Sequence, residues 1–298
     1  MAGYSDRVLR DFCRNFGADI VFTEMINCNT VINVPKKAKS LLQIEGEEHP
    51  IAVQLFGSKS SLLSEAAAIL EEWGVDYIDL NVGCPVRKIV KTGAGSALLK
   101  NLDQLKRIIT SMRESISKAY FSIKIRAGWT KEDLVYNEVG KIAEENGVDL
   151  IIFHARTRSQ KFAGAADWKY IKELSKNVTI PVVGNGDIKS KDEAYKHYEN
   201  TGIYGVMIGR KAIERPYIFK EIKLNKEIKY SKNDIKKFLL DYYKKEIELK
   251  GEYKAINEMR KIAHKFIRGW RYAKKYRELI NKTNKFEDIK KILEIKND

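Results

Sequence analysis

Seven short apolar runs alternate with amphipathic segments over roughly the first 225 residues, and no other feature restricts the fold as much. The runs cover residues 20–23, 51–55, 77–81, 121–125, 150–154, 181–184 and 205–209. The helical segments between them include 5–16, 62–73, 102–118, 131–146, 168–175 and 190–198. Strand–helix alternation needs crossover connections and therefore parallel strands. Near-continuous apolar runs suit strands buried on both faces. Capping residues stand at several helix starts: Ser5 before Asp6, Thr130 with Asp133, and Ser190 with Glu193. At 298 residues the nearest stable arrangement is a (β/α)8 TIM barrel of about 250 residues plus a small appendage. The unit that would come first is missing, because Met1-Ala2-Gly3 opens on a turn with a helix already under way. The expectation is an imperfectly closed barrel, with unpaired edges beside residues 20–23 and 205–209, or a natural start roughly 8–15 residues upstream. An open doubly wound sheet is the alternative, but its G-x-G-x-x-G fingerprint is absent.

From about Tyr230 the strand runs stop. Segments 232–250, 253–275 and 286–295 all read as amphipathic helix, which predicts a barrel domain over 1–225 and a helical domain over 230–298, joined within 223–231. Charge divides the same way. The chain carries a formal +15; from Lys229 onward 21 Lys and Arg stand against 11 Asp and Glu, a net +10 that leaves +5 for the rest. A basic tail on a nearly balanced body points to a polyanionic partner; a Lys-rich thermophile-like surface would give a similar count. On the predicted helix 253–275, Met259, Ile262, Phe266, Trp270 and Ala273 should face inward. Arg260, His264, Arg268, Arg271 and Lys275 form a basic stripe suited to phosphate contact.

No run of about 18 apolar residues is present, which argues against a membrane span. Asp6, Arg7 and Arg10 stand where a secretory signal would need an apolar core. Cys13, Cys28 and Cys84 are odd in number and lack metal-ligand spacing, so no metal is expected and a reducing cytoplasm fits. Oligomeric state is not legible.

The chemistry concentrates at strand ends. Asp79-Leu80-Asn81-Val82-Gly83-Cys84-Pro85 carries a buried run into a rigid turn that presents a thiol, and Gly93-Ala94-Gly95-Ser96 follows as a mobile or ligand-hugging loop. Cys84 is either a reactive thiol or a small core residue. In a parallel barrel, function sits at the carboxyl ends of the strands. Those ends here hold Gln54, Asn81, Cys84, Lys124, Arg126, His154, Arg156, Asn185 and Arg210. Gly184-Asn185-Gly186-Asp187 and Ile208-Gly209-Arg210-Lys211 fall where this fold binds phosphate. Lys124, ending a buried strand, calls for an anionic or electron-rich partner such as the N1–O2 edge of a reduced flavin.

These residues together resemble the tRNA-dihydrouridine synthase family. Asn81-Val82-Gly83-Cys84-Pro85 followed by Gly93-Ala94-Gly95-Ser96-Ala97-Leu98 is similar to its signature. Ser122-Ile123-Lys124-Ile125-Arg126-Ala127-Gly128-Trp129 is similar to its lysine motif, and His154-Ala155-Arg156-Thr157-Arg158 to its histidine segment. Gly184-Asn185-Gly186-Asp187-Ile188 and Ile208-Gly209-Arg210 resemble its phosphate loops, and the likeness runs from Met1 to about Phe219, more loosely beyond. The family's first strand, ending in Ala-Pro-Met, is not seen. The resemblance implies an FMN enzyme that reduces uridine in tRNA to 5,6-dihydrouridine with NADPH. Cys84 would give a proton to uracil C5, and flavin would give hydride to C6. Gln54, Lys124 and His154 would contact the flavin, and Asn185, Gly186, Asp187, Gly209 and Arg210 its phosphate. Asn81, with Arg126 and Arg156, would meet the uridine; Arg260, Arg268, Arg271 and Lys275 would meet the tRNA backbone. Two other readings compete: an FMN oxidoreductase on a free pyrimidine, similar to dihydroorotate dehydrogenase, which leaves the basic tail unexplained, and a non-catalytic RNA-binding barrel, which leaves Cys84 and Lys124 idle.

Overall fold

The computed structural model describes residues 1–294. Its chain opens with α1 (Arg7–Asn15), two short strands β1 (Val21–Phe22) and β2 (Ile26–Asn27), and helices α2 (Cys28–Asn33) and α3 (Pro35–Leu42). The repeating units follow: β3 (Ile51–Phe56), α4 (Ser60–Glu72), β4 (Tyr77–Val82), α5 (Arg87–Val90), a 3-10 turn (Gly95–Lys100) and α6 (Leu102–Ser115). Then come β5 (Tyr120–Arg126), α7 (Tyr136–Glu145), β6 (Leu150–His154), α8 (Trp168–Asn177), β7 (Val182–Asn185), α9 (Lys191–Thr201) and β8 (Gly205–Met207). Helices alone complete the described chain: α10 (Arg210–Glu214), α11 (Ile218–Lys223), α12 (Lys232–Lys250), α13 (Glu252–Phe266), α14 (Ala273–Lys282) and α15 (Phe286–Glu294). Ile295, the last residue of the predicted helix 286–295, lies outside the described residues.

All seven predicted runs are strands, and every ladder is parallel. β1 and β2 both pair with β3 (Val21 with Ile51, Ile26 with Leu55), so they share one position in the sheet. The order is β1-β3-β4-β5-β6-β7-β8, and among the described residues no ladder joins β8 to β1. Among the described residues the (β/α) barrel therefore has a seam between β8 and β1. That seam does not leave bare apolar edges. Val8, Leu9 and Phe12 of α1, Val21 of β1, and Ile208 and Ala212 beside β8 share one apolar cluster with Leu239, Tyr242, Ile256, Met259 and Phe266 of α12 and α13. The C-terminal helices thus form a common core with the seam side of the barrel.

Period-two alternation divides each strand between two environments. Ile78, Leu80 and Val82 of β4, and Phe121, Ile123 and Ile125 of β5, pack outward against Leu63, Ala67 and Leu70 of α4 and Leu105, Ile108 and Ile109 of α6. The intervening residues face the opposite way, into the barrel. In register they form polar layers: Gln54 beside Asp79 beside Ser122, then Asn81 beside Lys124, then Arg126 beside His154 beside Asn185. Much of the barrel interior is thus lined with hydrogen-bonding groups.

Three local expectations are corrected. The helix expected over 131–146 begins only at Tyr136, because Gly128 bridges Leu134 and holds the Asp133 carbonyl so close that a Cβ would meet it at 2.0 Å. The cap of α1 is Asp6, which accepts from Leu9 N–H, rather than Ser5. The helix expected over 253–275 is two helices. It stops at Phe266, and Gly269 (φ 82°) and Tyr272 (φ 62°) take left-handed backbone before α14 starts; an exposed glycine there admits the reversal without steric cost. Met259, Ile262 and Phe266 are buried as expected.

Candidate active site at the carboxyl rim

β4 ends at Val82, and Cys84 is clamped from both sides just beyond it. The Asn81 Oδ1 accepts from the N–H of Gly83 (3.2 Å) and of Cys84 (2.8 Å). The Cys84 carbonyl accepts from Ser96 N–H (3.1 Å) and Ser96 hydroxyl (2.9 Å). Gly95, at φ +62°, lies so close that a Cβ would stand 3.0 Å from the Cys84 carbonyl. Of the stretch expected to be a mobile or ligand-hugging loop, Ala94, Gly95 and Ser96 are buried and brace the cysteine, with Gly95 opening a 3-10 turn. Cys84 is 9% exposed. Burial pushes its pKa up, against the opposing pull of the Val86 N–H, Arg126 and Lys124, so it rests as a thiol at neutral pH.

Beneath the cysteine runs a directed hydrogen-bond chain. Asp79, wholly buried, accepts from Ser122 Oγ (2.7 Å) and Gln54 Nε2 (2.7 Å). Gln54 Oε1 accepts from Asn81 Nδ2 (2.8 Å), and Asn81 presents its oxygen to Cys84. Burial raises the Asp79 pKa, while the Gln54 and Ser122 hydrogen bonds and the Lys124 charge oppose it. Lys124, in the layer above, is pulled down by burial and then by Arg126. Its Nζ stands 3.4 Å from Asn185 Oδ1, whose amide donates to the Met207 carbonyl at 2.6 Å.

Positive charge gathers across the rim. His154 is held neutral, with its pKa pushed down to about 2 by burial and then by Lys124, Arg126, Arg156 and Arg210. Arg126 donates to the carbonyls of Gly83 (2.7 Å), Thr157 (2.9 Å) and Lys161 (2.8 Å). Arg156, 2% exposed, donates to Gly164 O (2.6 Å) and to Asp187 (2.6 Å). Both arginines, expected at the substrate, thus anchor the 157–164 loop and the Cys84 turn. Arg210 reaches Asp187 at 3.0 Å and stays 55% exposed. Asp187 also accepts from Ala166 N–H (2.9 Å).

The loop after β7 is shaped by Trp168. Its indole N–H donates to Gly186 O (3.1 Å), its ring stacks on His197 at 3.6 Å, and a Cβ on Gly184 would strike it at 2.4 Å. Gly186 takes φ +138° and a Cβ there would meet Ala166 at 2.6 Å. Gly209 lies against the Met1 thioether, which a Cβ would meet at 3.2 Å. Phe162, 58% exposed, has the guanidinium groups of Arg126 (5.7 Å) and Arg210 (5.3 Å) over its ring.

The sequence reading put Gln54, Asn81, Cys84, Lys124, Arg126, His154, Arg156, Asn185 and Arg210 at strand ends on one rim, and all nine lie in or just after the strands β3 to β8. It quoted Asp79 and Ser96 only inside longer motifs, with no role for either, and passed over Phe162 and Trp168. Asp79 left a signal of its own, a carboxylate inside an otherwise apolar strand. The tail residues disperse. Arg260 donates to Thr283 O (3.1 Å) and Asn284 Oδ1 (2.9 Å), joining α13 to the segment that leads into α15. Arg268, 71% exposed, pairs with Glu214 of α10 at 3.0 Å. Arg271 stacks on Tyr272 at 5.1 Å, and Lys275 is exposed on α14.

The family model described as dihydrouridine synthase matches residues 1–297. A tRNA-dihydrouridine synthase B of Shewanella oneidensis is 35% identical over 266 aligned positions, covering 88% of this chain and 82% of the relative. The Vibrio vulnificus protein of the same name is 33% identical, covering 94% and 88%. A probable tRNA-dihydrouridine synthase of Aquifex aeolicus is 33% identical, covering 99% and 94%. Among solved structures, histamine dehydrogenase from Rhizobium sp. 4-9 superposes with a TM-score of 0.57 at 15% identity, over 75% of this chain and 44% of that one, a likeness of fold.

Proposed function

The chain belongs to the dihydrouridine synthase family, and on that premise we propose that it reduces uridine in tRNA to 5,6-dihydrouridine at the carboxyl rim, holding FMN and drawing electrons from NADPH. One observation carries the assignment of roles. A thiol kept protonated by burial follows the strand whose Asn81 pairs in register with the half-buried Lys124.

The residues fit a flavin. Lys124, Arg126, Arg156 and Arg210 all depress His154, whereas Asp79 and Asp187 are the acids they meet. A cationic mouth over bare glycine backbone suits a ligand with an electron-rich ring and a phosphate. Gln54, Lys124 and His154 would hold the ring; Asn185, Gly186, Asp187, Gly209 and Arg210 would hold the phosphate end. When bound, FMN supplies the hydride that adds to C6 of uracil.

The chain's own part is proton supply and positioning. Cys84 Sγ–H gives its proton to C5, completing addition across the C5–C6 double bond. A general acid must be protonated at its working pH, and the raised pKa of Cys84 meets that need. The thiolate left behind is stabilised by Arg126 and Lys124, the charges that pull its pKa back down. Asn81 aligns Cys84 through its two backbone bonds. Neutral His154 adds no further positive charge. A uridine must leave its stack to reach this depth, so a second surface has to grip the RNA. The basic C-terminal region, where Arg268 and Arg271 are exposed in the turn between α13 and α14 and Lys275 on α14, would supply phosphate contacts. The free thiols and the tRNA substrate fit a cytoplasmic enzyme.

The test is nucleoside analysis of unmodified tRNA after incubation with the flavin-loaded protein and NADPH. Dihydrouridine should form in tRNA and not in free uridine. Turnover of free uridine at the same rate, or no product from tRNA, would overturn the reading.

A further inference from the structure

Asp79 has no place in the reaction described above, yet it lies under the active cysteine, fully buried, with a partner on each oxygen. Its chemistry sets a direction. A carboxylate can only accept, so Gln54 must turn its NH2 toward Asp79, and does so at 2.7 Å. Gln54 is then left with its oxygen facing Asn81 and accepts from Nδ2 at 2.8 Å. Asn81 is thereby left with its oxygen facing the loop, where the N–H groups of Gly83 and Cys84 can only donate. The top of the chain is chemically unambiguous, two donor-only N–H groups; at the floor, Asp79, whose carboxyl burial raises to about 7, accepts from Gln54 when ionised and still does so when its proton lies on the oxygen that faces the Ser122 hydroxyl. The two amides between them can satisfy both ends in one orientation.

We propose that Asp79 is a positioning residue: by fixing the direction of the Gln54–Asn81 amide chain, it holds the backbone of Cys84 where the thiol can reach uracil. The inference rests on Cys84 being the proton donor. With a neutral amide at position 79 the chain can run in either direction. In the reversed state Asn81 would point NH2 at two N–H donors, releasing the Cys84 turn. Ser122 Oγ, on the other oxygen of Asp79, belongs to no such chain and serves as the control.

The substitution Asp79→Asn should lower kcat roughly 10–100-fold, the scale of a misplaced reacting group, while KM for tRNA and FMN occupancy stay within about twofold. In the same variant, the amides of Gly83 and Cys84 should exchange with deuterium about tenfold faster, as expected for lost hydrogen bonds. Ser122→Ala removes a buried hydrogen bond to the same carboxylate but leaves the chain direction intact, and should change neither readout more than about threefold. The deciding variant is Asp79→Asn with Gln54→Glu. A carboxylate moved to the middle of the chain accepts at both ends, so Asn81 again points its oxygen at Cys84, and amide protection should return with the total charge conserved. Wild-type protection in Asp79→Asn, or a double variant as exposed as the single, would overturn the proposal. Should Asp79→Asn fail to fold, a folded and protected double variant supports the proposal, and failure of both overturns it. Exchange is read without substrate, so it reports on the chain of hydrogen bonds separately from turnover. A wild-type protein that protects these amides but forms no dihydrouridine would defeat the functional reading alone.

Discussion

Ser96 holds Cys84 from behind, donating to its carbonyl through both the backbone N–H (3.1 Å) and the hydroxyl (2.9 Å). Twelve positions separate the two residues in sequence, and the 3-10 turn between Gly95 and Lys100 brings them together. Ser96→Ala keeps the backbone bond and loses the other. We expect a stability loss of about 1 kcal/mol by urea unfolding and a several-fold drop in kcat with unchanged flavin content. Wild-type kcat in this variant would show that the brace is dispensable for chemistry.

Cys84→Ala should leave FMN and tRNA binding intact and lower dihydrouridine formation by roughly 10²–10⁴-fold, the usual worth of a positioned general acid. Single-turnover assays on unmodified tRNA give the comparison. A variant that retains near wild-type turnover would remove the proton-donor assignment.

Gly184→Ala puts a methyl group 2.4 Å from the Trp168 ring. Either the indole moves and releases the Gly186 carbonyl, or β7 shifts. Overpacking of this kind costs about 1–3 kcal/mol. The expected outcome is a lower thermal midpoint together with weaker FMN retention on dilution, because the bonded carbonyl sets the shape of the loop proposed to hold the phosphate. Unchanged FMN retention at reduced stability would separate Trp168 from that loop.

Arg268→Glu with Arg271→Glu should weaken tRNA binding and lower its salt slope by about 1 for each lost phosphate contact, with bound FMN unchanged. The exposed pair of Arg268 with Glu214 contributes at most about 1 kcal/mol to stability, so the variant should fold. Filter binding at several salt concentrations is the measurement; equal affinity and slope would place the RNA surface elsewhere.

Glu71 supplies a pH test of stability far from the site. Burial, the largest single influence, raises its pKa, but the N–H groups of Ala119, Lys118 and Ser117 and the Ser117 hydroxyl together outweigh it and hold the carboxyl at about 2. A folded pKa below the ordinary value of 4.5 means the stabilisation is fully present above pH 4.5 and is lost as pH falls toward 2. Glu71→Gln should therefore cost about 1 kcal/mol at neutral pH, after solvent screening, and almost nothing at pH 2. An equal cost at both pH values would contradict the linkage.

Alternation of apolar runs with amphipathic helices was enough to establish a parallel barrel and its strand positions, because each run needs burial on both faces wherever its partners come from. The rim residues were legible for the same reason: a polar or reactive side chain at the carboxyl end of such a run has the barrel mouth to face. Three things depended on tertiary structure. Arg126 and Arg156 look like ligand contacts in the sequence, but loop carbonyls and Asp187, brought up from distant segments, take most of their donors. The basic stripe of the tail is one helical face only if the helix continues, and the left-handed turn at Gly269 and Tyr272 breaks it. Asp79 lies between Ile78 and Leu80 in an apolar run, and nothing local says whether it faces solvent or the barrel axis. Register settles that by setting it beside Gln54 and Ser122, since hydrogen-bond direction is a property of partners, and partners 25 and 43 positions away meet only when β3 and β5 pair on either side of β4.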